Sequence, residues 1–146
     1  MPTRITNFLH DSVQAPDTAP VLGTAFSAAD VHVHDMTGAL PAFKGAGNFH
    51  GIIEGIHVKL TSATNPTKVT IRLCLDADGD VTVVPDTEAD LVAGITTATE
   101  KCAAFSVRLP VFQLFSATNR NLYLFAKVDD ATGNPEFAQS CITWRE

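Results

Sequence analysis

From Phe49 onward, apolar residues recur at every second position in short runs, and no stretch carries the period of an amphipathic helix. Alternation of this kind specifies half-buried strands. Without helices to carry parallel crossovers, those strands must pair with antiparallel neighbours. HGIIEGIHVKL places Ile52, Ile56, Val58 and Leu60 on one face, with Ile53, His57 and Lys59 opposite. Glu54 falls on the apolar side, and the adjacent Gly55 predicts a bulge that re-aims it. Val69, Ile71, Leu73 and Leu75 then alternate against Thr70, Arg72 and Cys74. DADGD closes the run into a hairpin whose return strand is Val81 to Val84.

Pro85 to Thr99 reads as a turn of helix over DTEADL followed by an extended loop or edge. Ala103 to Leu109 is a strand with Phe105, Val107 and Leu109 on one face, and Pro110 marks an edge or bulge after which Phe112 and Leu114 take the inward side. Leu122, Leu124, Ala126 and Val128 alternate with Tyr123, Phe125 and Lys127, so this strand is apolar on both faces. A central position between layers explains that, as does a subunit contact. A last strand carries Ser140, Ile142 and Trp144 against Cys141, Thr143 and Arg145. The expected fold is all-β, an antiparallel two-sheet sandwich of jelly-roll type over residues 49–146.

Met1 to Asn48 shows no such order. Four prolines and four glycines punctuate it, leaving one short strand at Ala29 to Asp35. Yet Phe8, Leu9, Val21, Leu22, Phe26, Leu40 and Phe43 make it too apolar for a solvated tail. It is expected to be an extended, irregular arm ordered by contact with another protein.

At 146 residues the chain has room for one domain with a real core. A net charge of −6 with scattered Lys and Arg argues against direct nucleic-acid binding. No apolar run reaches membrane-helix length and no signal peptide is evident, which predicts a soluble protein made in the cytoplasm. Cys74, Cys102 and Cys141 have neither disulfide nor zinc spacing and read as buried free thiols. Cys102 beside Lys101 lacks a positioned base.

His32 and His34 in DVHVHD face the same way on an extended segment and are the candidates for a metal site. Cupin-type enzymes add a Glu a few residues later, and here Asp35 to Leu40 contains none; surface or interface histidines are the plainer reading. Asp76, Asp78 and Asp80 resemble the opening of a calcium loop, but Val81 and Thr87 stand where its Gly and Glu belong. Glu54 and Arg72 are placed to pair across neighbouring strands, and Asp86, Glu88, Asp90 and Glu100 come with no pocket signal. No hydrolase, kinase or dinucleotide motif occurs, so neither catalysis nor a cofactor is expected.

FSVRLPVFQLF, NLYLFAKVDD and SCITWRE, behind a long irregular arm, resemble the decoration or cement proteins of tailed-bacteriophage heads. That resemblance implies a non-enzymatic virion protein on the capsid surface, commonly a homotrimer, which bridges major capsid protein subunits. The arm would then lie across the capsid, and Phe112, Tyr123 and Phe125 become the self-association candidates. A carbohydrate- or receptor-binding module of a tail or fibre is the competing expectation, and it requires an exposed aromatic platform.

Overall fold

A computed structural model describes residues 9–36, 52–94, 96–110 and 121–145. Nine strands are formed: β1 (Leu9–Gln14), β2 (His32–Asp35), β3 (Ile52–Thr61), β4 (Lys68–Cys74), β5 (Thr82–Asp90), β6 (Val92–Ala93), β7 (Lys101–Pro110), β8 (Asn121–Val128) and β9 (Glu136–Arg145). They build two antiparallel sheets, ordered β1-β9-β3-β7-β6 and β2-β8-β4-β5. Apart from the two-residue β6, the strands pair from the outside of the sequence inward: β1 with β9, β2 with β8, β3 with β7 and β4 with β5. Successive pairs alternate between the sheets. The chain is thus one long hairpin rolled around itself, which is the jelly-roll arrangement.

The period-two faces meet between the sheets, except that across the bulge Ile53 points inward where Ile52 was expected. Ile53, Ile56, Val58 and Leu60 of β3 pack with Phe105 of β7 and with Phe137, Ile142 and Trp144 of β9. Facing them are Ile71 and Leu73 of β4 and Leu122 and Leu124 of β8. The expected bulge lies between Ile53 and Gly55. A Cβ at Gly55 would stand 2.8 Å from Thr143 Oγ1, so only glycine lets β9 come this close. Glu54, re-aimed by the bulge, meets Arg145 at 3.1 Å, while Arg72 binds Asp86 at 2.6 Å; the expected Glu54–Arg72 pair does not form. DADGD is the expected hairpin turn: Gly79 has φ +80°, and the Asp76 carboxylate accepts from the N–H groups of Asp80 and Val81.

Several expectations are corrected. The return strand starts at Thr82 and runs straight through DTEA to Asp90, with no helical turn. Pro85 is tolerated there because it falls in a register shift of the β4–β5 ladder, between the pairs Ile71–Thr87 and Leu73–Val84, where no ladder partner needs its donor. Cys74 is buried, but Cys102 is exposed and Cys141 half-buried. The largest correction concerns the N-terminal segment. Its described residues are not an arm: β1 and β2 are edge strands of the two sheets, and Leu22 and Met36 are each only 1% exposed in the core. The sandwich therefore begins well before residue 49.

Phe26 lies over the outer face of the second sheet, edge-on to Phe125 at 6.4 Å and beneath Arg72 at 4.5 Å and Lys127 at 4.8 Å. The two-faced apolar character of β8 is explained within the chain. Phe125 is 3% exposed, covered on that outer face by its own chain, so it offers no surface for self-association. No helix among the described residues is long and apolar enough to cross a membrane.

Candidate functional site

Polar side chains enter the interior where β1 and β2 face each other. His32 and His34 do point to the same side of β2, as their spacing predicts, but that side is the core: they are 2% and 0% exposed. They are therefore neither surface nor interface residues.

Their hydrogen bonds form a one-way relay. His32 Nε2 lies 2.9 Å from the Phe137 carbonyl, which only accepts, so Nε2 carries the proton. Nδ1 of the neutral ring then accepts from the Ser140 hydroxyl at 2.6 Å. Ser140 Oγ in turn accepts from His34 Nε2–H at 2.9 Å, and His34 Nδ1 accepts from the Ser12 hydroxyl at 3.0 Å. Every donor meets one acceptor, and both imidazoles must be neutral. The His32 ring stacks on Phe137 at 3.6 Å, with 9° between planes. Burial pushes the His32 imidazole down to about 4, against the pull of the Phe137 carbonyl. Burial, reinforced by repulsion from His32 and opposed by the Ser12 backbone, does the same to His34, also to about 4.

The two ring nitrogens that would chelate an ion converge instead on Ser140 Oγ. Among the described residues, no group of three His, Cys, Asp or Glu side chains assembles to hold a metal. The relay ties β1, β2 and β9 together as structure. Replacing Ser140 with Ala strands one imidazole acceptor and one donor in the core, and Ser140→Ala is expected to cost about 1–3 kcal/mol. Urea denaturation at neutral pH measures this, and an unchanged midpoint would remove the relay's structural role.

A second feature is a groove of about 690 Å³ on the outer face of the larger sheet, walled by His57, Lys59, Gln139, Cys102 and Cys141 and rimmed by Asp90. Ala104 opens it: β7 places this small residue opposite the exposed His57. Alternation gives the outward direction of these side chains, but the concavity depends on sheet curvature and was not legible. Burial, with a smaller contribution from Asp11, raises the Cys141 thiol, so it is not an activated nucleophile.

The third feature is a difference between the two sides of the sandwich. At one side, β5 carries Pro85, Asp86, Glu88 and Asp90, and β6 is only two residues long; both are devices that discourage strand addition. At the other side, β1 has neither Pro nor Lys, although β1 and β2 carry the exposed Asp11 and Asp35; Val13 (47%) and Val33 (38%) stand exposed on the outer faces of these two strands, as Val92 (68%) does on β6. Tyr123 is half-buried beside Val33 on β8. Among the arm candidates, Leu22 and Phe26 serve their own chain, and Val21 is exposed and bridges to Glu136. Leu9 pairs with Arg145 through its backbone. Phe8, Leu40, Phe43 and Phe112 lie outside the described residues. No described aromatic side chain is exposed, so the platform required by the carbohydrate-binding expectation does not form among the described residues.

No family model matches the chain, and no curated protein matches it. Solved structures do. A carbohydrate-binding module from glycoside hydrolase family 9 (Cel9A) of Ruminococcus flavefaciens FD-1 superposes with TM-score 0.52 and 8% identity, covering 94% of this chain and 98% of the module. The PRD1 vertex protein P5 gives 0.47 and 16% over 99% of both chains, and the Tobacco streak virus coat protein 0.42 and 8% over 99% of this chain and 91% of its own. At these identities the likeness is one of fold.

Proposed function

We propose that the chain is a non-enzymatic structural protein of a virion, a jelly roll that decorates the capsid surface and bridges major capsid protein subunits. The observation that supports it most is the β1/β2 side, where, among the described residues, Val13 and Val33 are exposed on edge strands that lack proline and lysine and carry one exposed acid each, Asp11 and Asp35. Attachment is assigned to this side in place of a separate arm. Partner strands or apolar contacts there add area at little cost to the core, and many copies on one shell multiply a weak single contact. Tyr123, next to Val33, is the remaining described candidate for self-association as a trimer.

Val13→Lys combined with Val33→Lys is expected to lower occupancy on purified capsids at least about tenfold while shifting the denaturation midpoint little, because both side chains are exposed. Full occupancy by the double variant would reject the assignment.

The groove favours a second reading, a ligand-binding module, because Gln139, His57 and Asp90 offer hydrogen bonds beside the small Ala104. A glycan array that finds no binding would remove it.

A further inference from the structure

We propose that the Ser12–His34–Ser140–His32 relay is an acid-operated latch: proton uptake at the imidazoles releases β1 and β2 from the sandwich while the inner strands remain paired. Its bearing on attachment rests on the reading given above, but the latch itself is a property of the isolated chain.

The edge strands are held differently from the rest. Among the described residues, β1 pairs with β9 alone and β2 with β8 alone, whereas β3, β4, β8 and β9 are paired on both sides. The described buried side chains of β1 and β2 are Ser12, His32 and His34, all polar. Apolar anchorage comes from Leu22 and Met36, beside these strands rather than in them. Besides the main-chain ladders β1–β9 and β2–β8, these side-chain hydrogen bonds across the core are the cross-links that join β1 to β2 and β2 to β9.

A proton cannot be added to the relay without breaking it. On His32, the new Nδ1–H would face Ser140 Oγ, which already accepts from His34, and the serine proton would lose its acceptor. On His34, the new Nδ1–H would turn the Ser12 hydroxyl from donor to acceptor, and the serine proton would lose this partner.

No described carboxylate is turned toward the pair to shelter the charge. On β1, Asp11 is exposed on the outward side near Cys141, and Cys141 of β9 faces outward with it. Asp35 of β2 is exposed on the opposite face from the histidines, and Asp30 precedes the strand in a 3-10 turn. Glu136 of β9 accepts from Thr61, and Tyr123 of β8 lies opposite Val33 on the outward face. Two cations would therefore face each other in an apolar layer. Burial already holds both imidazoles near 4, so the closed latch stays neutral through the mildly acidic range. Exposure of the strands returns the rings toward their ordinary 6.5, and that difference drives opening.

Amide hydrogen exchange on the isolated protein, stepped from about pH 7 to about pH 3.5 and corrected for intrinsic rates, tests the latch. Protection of the β1 and β2 amides is expected to fall at least about tenfold relative to β3 and β4 as the histidines charge, and to hold constant in the His32→Gln, His34→Gln double variant. A constant ratio in the wild type, or loss in every strand at one pH, would overturn the proposal. Should the double variant misfold, imidazole nitrogen NMR of the wild type decides: both rings must start as Nε2–H tautomers and charge at the pH where the edge amides open. Charging at a separate pH refutes the latch. Edge opening in solution with capsid occupancy unchanged at the same pH would instead remove the attachment reading and leave the latch intact.

Discussion

Acidification from about pH 7 to about pH 4 is expected to remove several kcal/mol of folding stability, before most carboxylates protonate. Each imidazole titrates at about 4 when folded against 6.5 as a free side chain, and one unit corresponds to about 1.4 kcal/mol, so each histidine contributes up to ~3 kcal/mol. Because the folded value is depressed, the unfolded chain binds more protons between the two values. The contribution is whole above pH 6.5, falls as pH falls, and is gone near pH 4. Opening of the edge strands caps the loss at whatever free energy holds them. Carboxylates act lower down: the Val81 N–H holds Asp76 below 3.8, Arg72 does so for Asp86, and Thr132 for Asp130. Their contributions persist down to that range. Against a typical total of about 5–15 kcal/mol, even the capped loss is a large share of the stability available in mild acid. Urea titrations across this range measure it, and equal midpoints at its two ends would disprove it.

Replacing Phe137 with Ala is expected to cost about 3–5 kcal/mol, since its ring is fully buried and its loss opens a cavity. The damage reaches beyond the cavity. Phe137 also carries the stacked face of His32. With the ring gone, His32 is rehydrated and its proton affinity rises, so Phe137→Ala should show a shallower acid dependence as well as a lower midpoint at neutral pH. A midpoint within about 0.5 kcal/mol of wild type would contradict the packing described here.

Much of the sandwich could be read from residue order. Val69 to Leu75 and Leu122 to Val128 alternate because a two-sheet core wets one face of each strand, and Gly79 and Gly55 marked the turn and the bulge for the reasons seen in the structure. Of the edge strands on that side, β2 was read, as the short strand at Ala29 to Asp35, but β1 and the inward face of both were not. In β1 and β2 the pattern is inverted: Ser12, His32 and His34 point in, while Val13 and Val33 point out. A hydrophobic-period reading assigns such segments to loops, because it prices an inward imidazole as an error unless its partners are known. Those partners, Ser140 and the Phe137 carbonyl, lie more than a hundred residues away. DTEA in β5 misled for a different reason, since a capped helical turn and a charged edge strand draw on the same residues. Of the candidate site, the shared direction of His32 and His34 was legible, and the serine that fills the gap between them was not.

The rolled-hairpin connectivity also bears on biosynthesis. β1 has left the ribosome long before β9, its partner in the larger sheet, and β2 likewise waits for β8. The first pair that can close during translation is β4 with β5, the innermost fold of the hairpin. Nascent chains must therefore zip outward from the centre, holding β1 and its exposed valine unpaired until β9 has emerged. Such a delay favours slow maturation and a dependence on chaperones that shield extended segments.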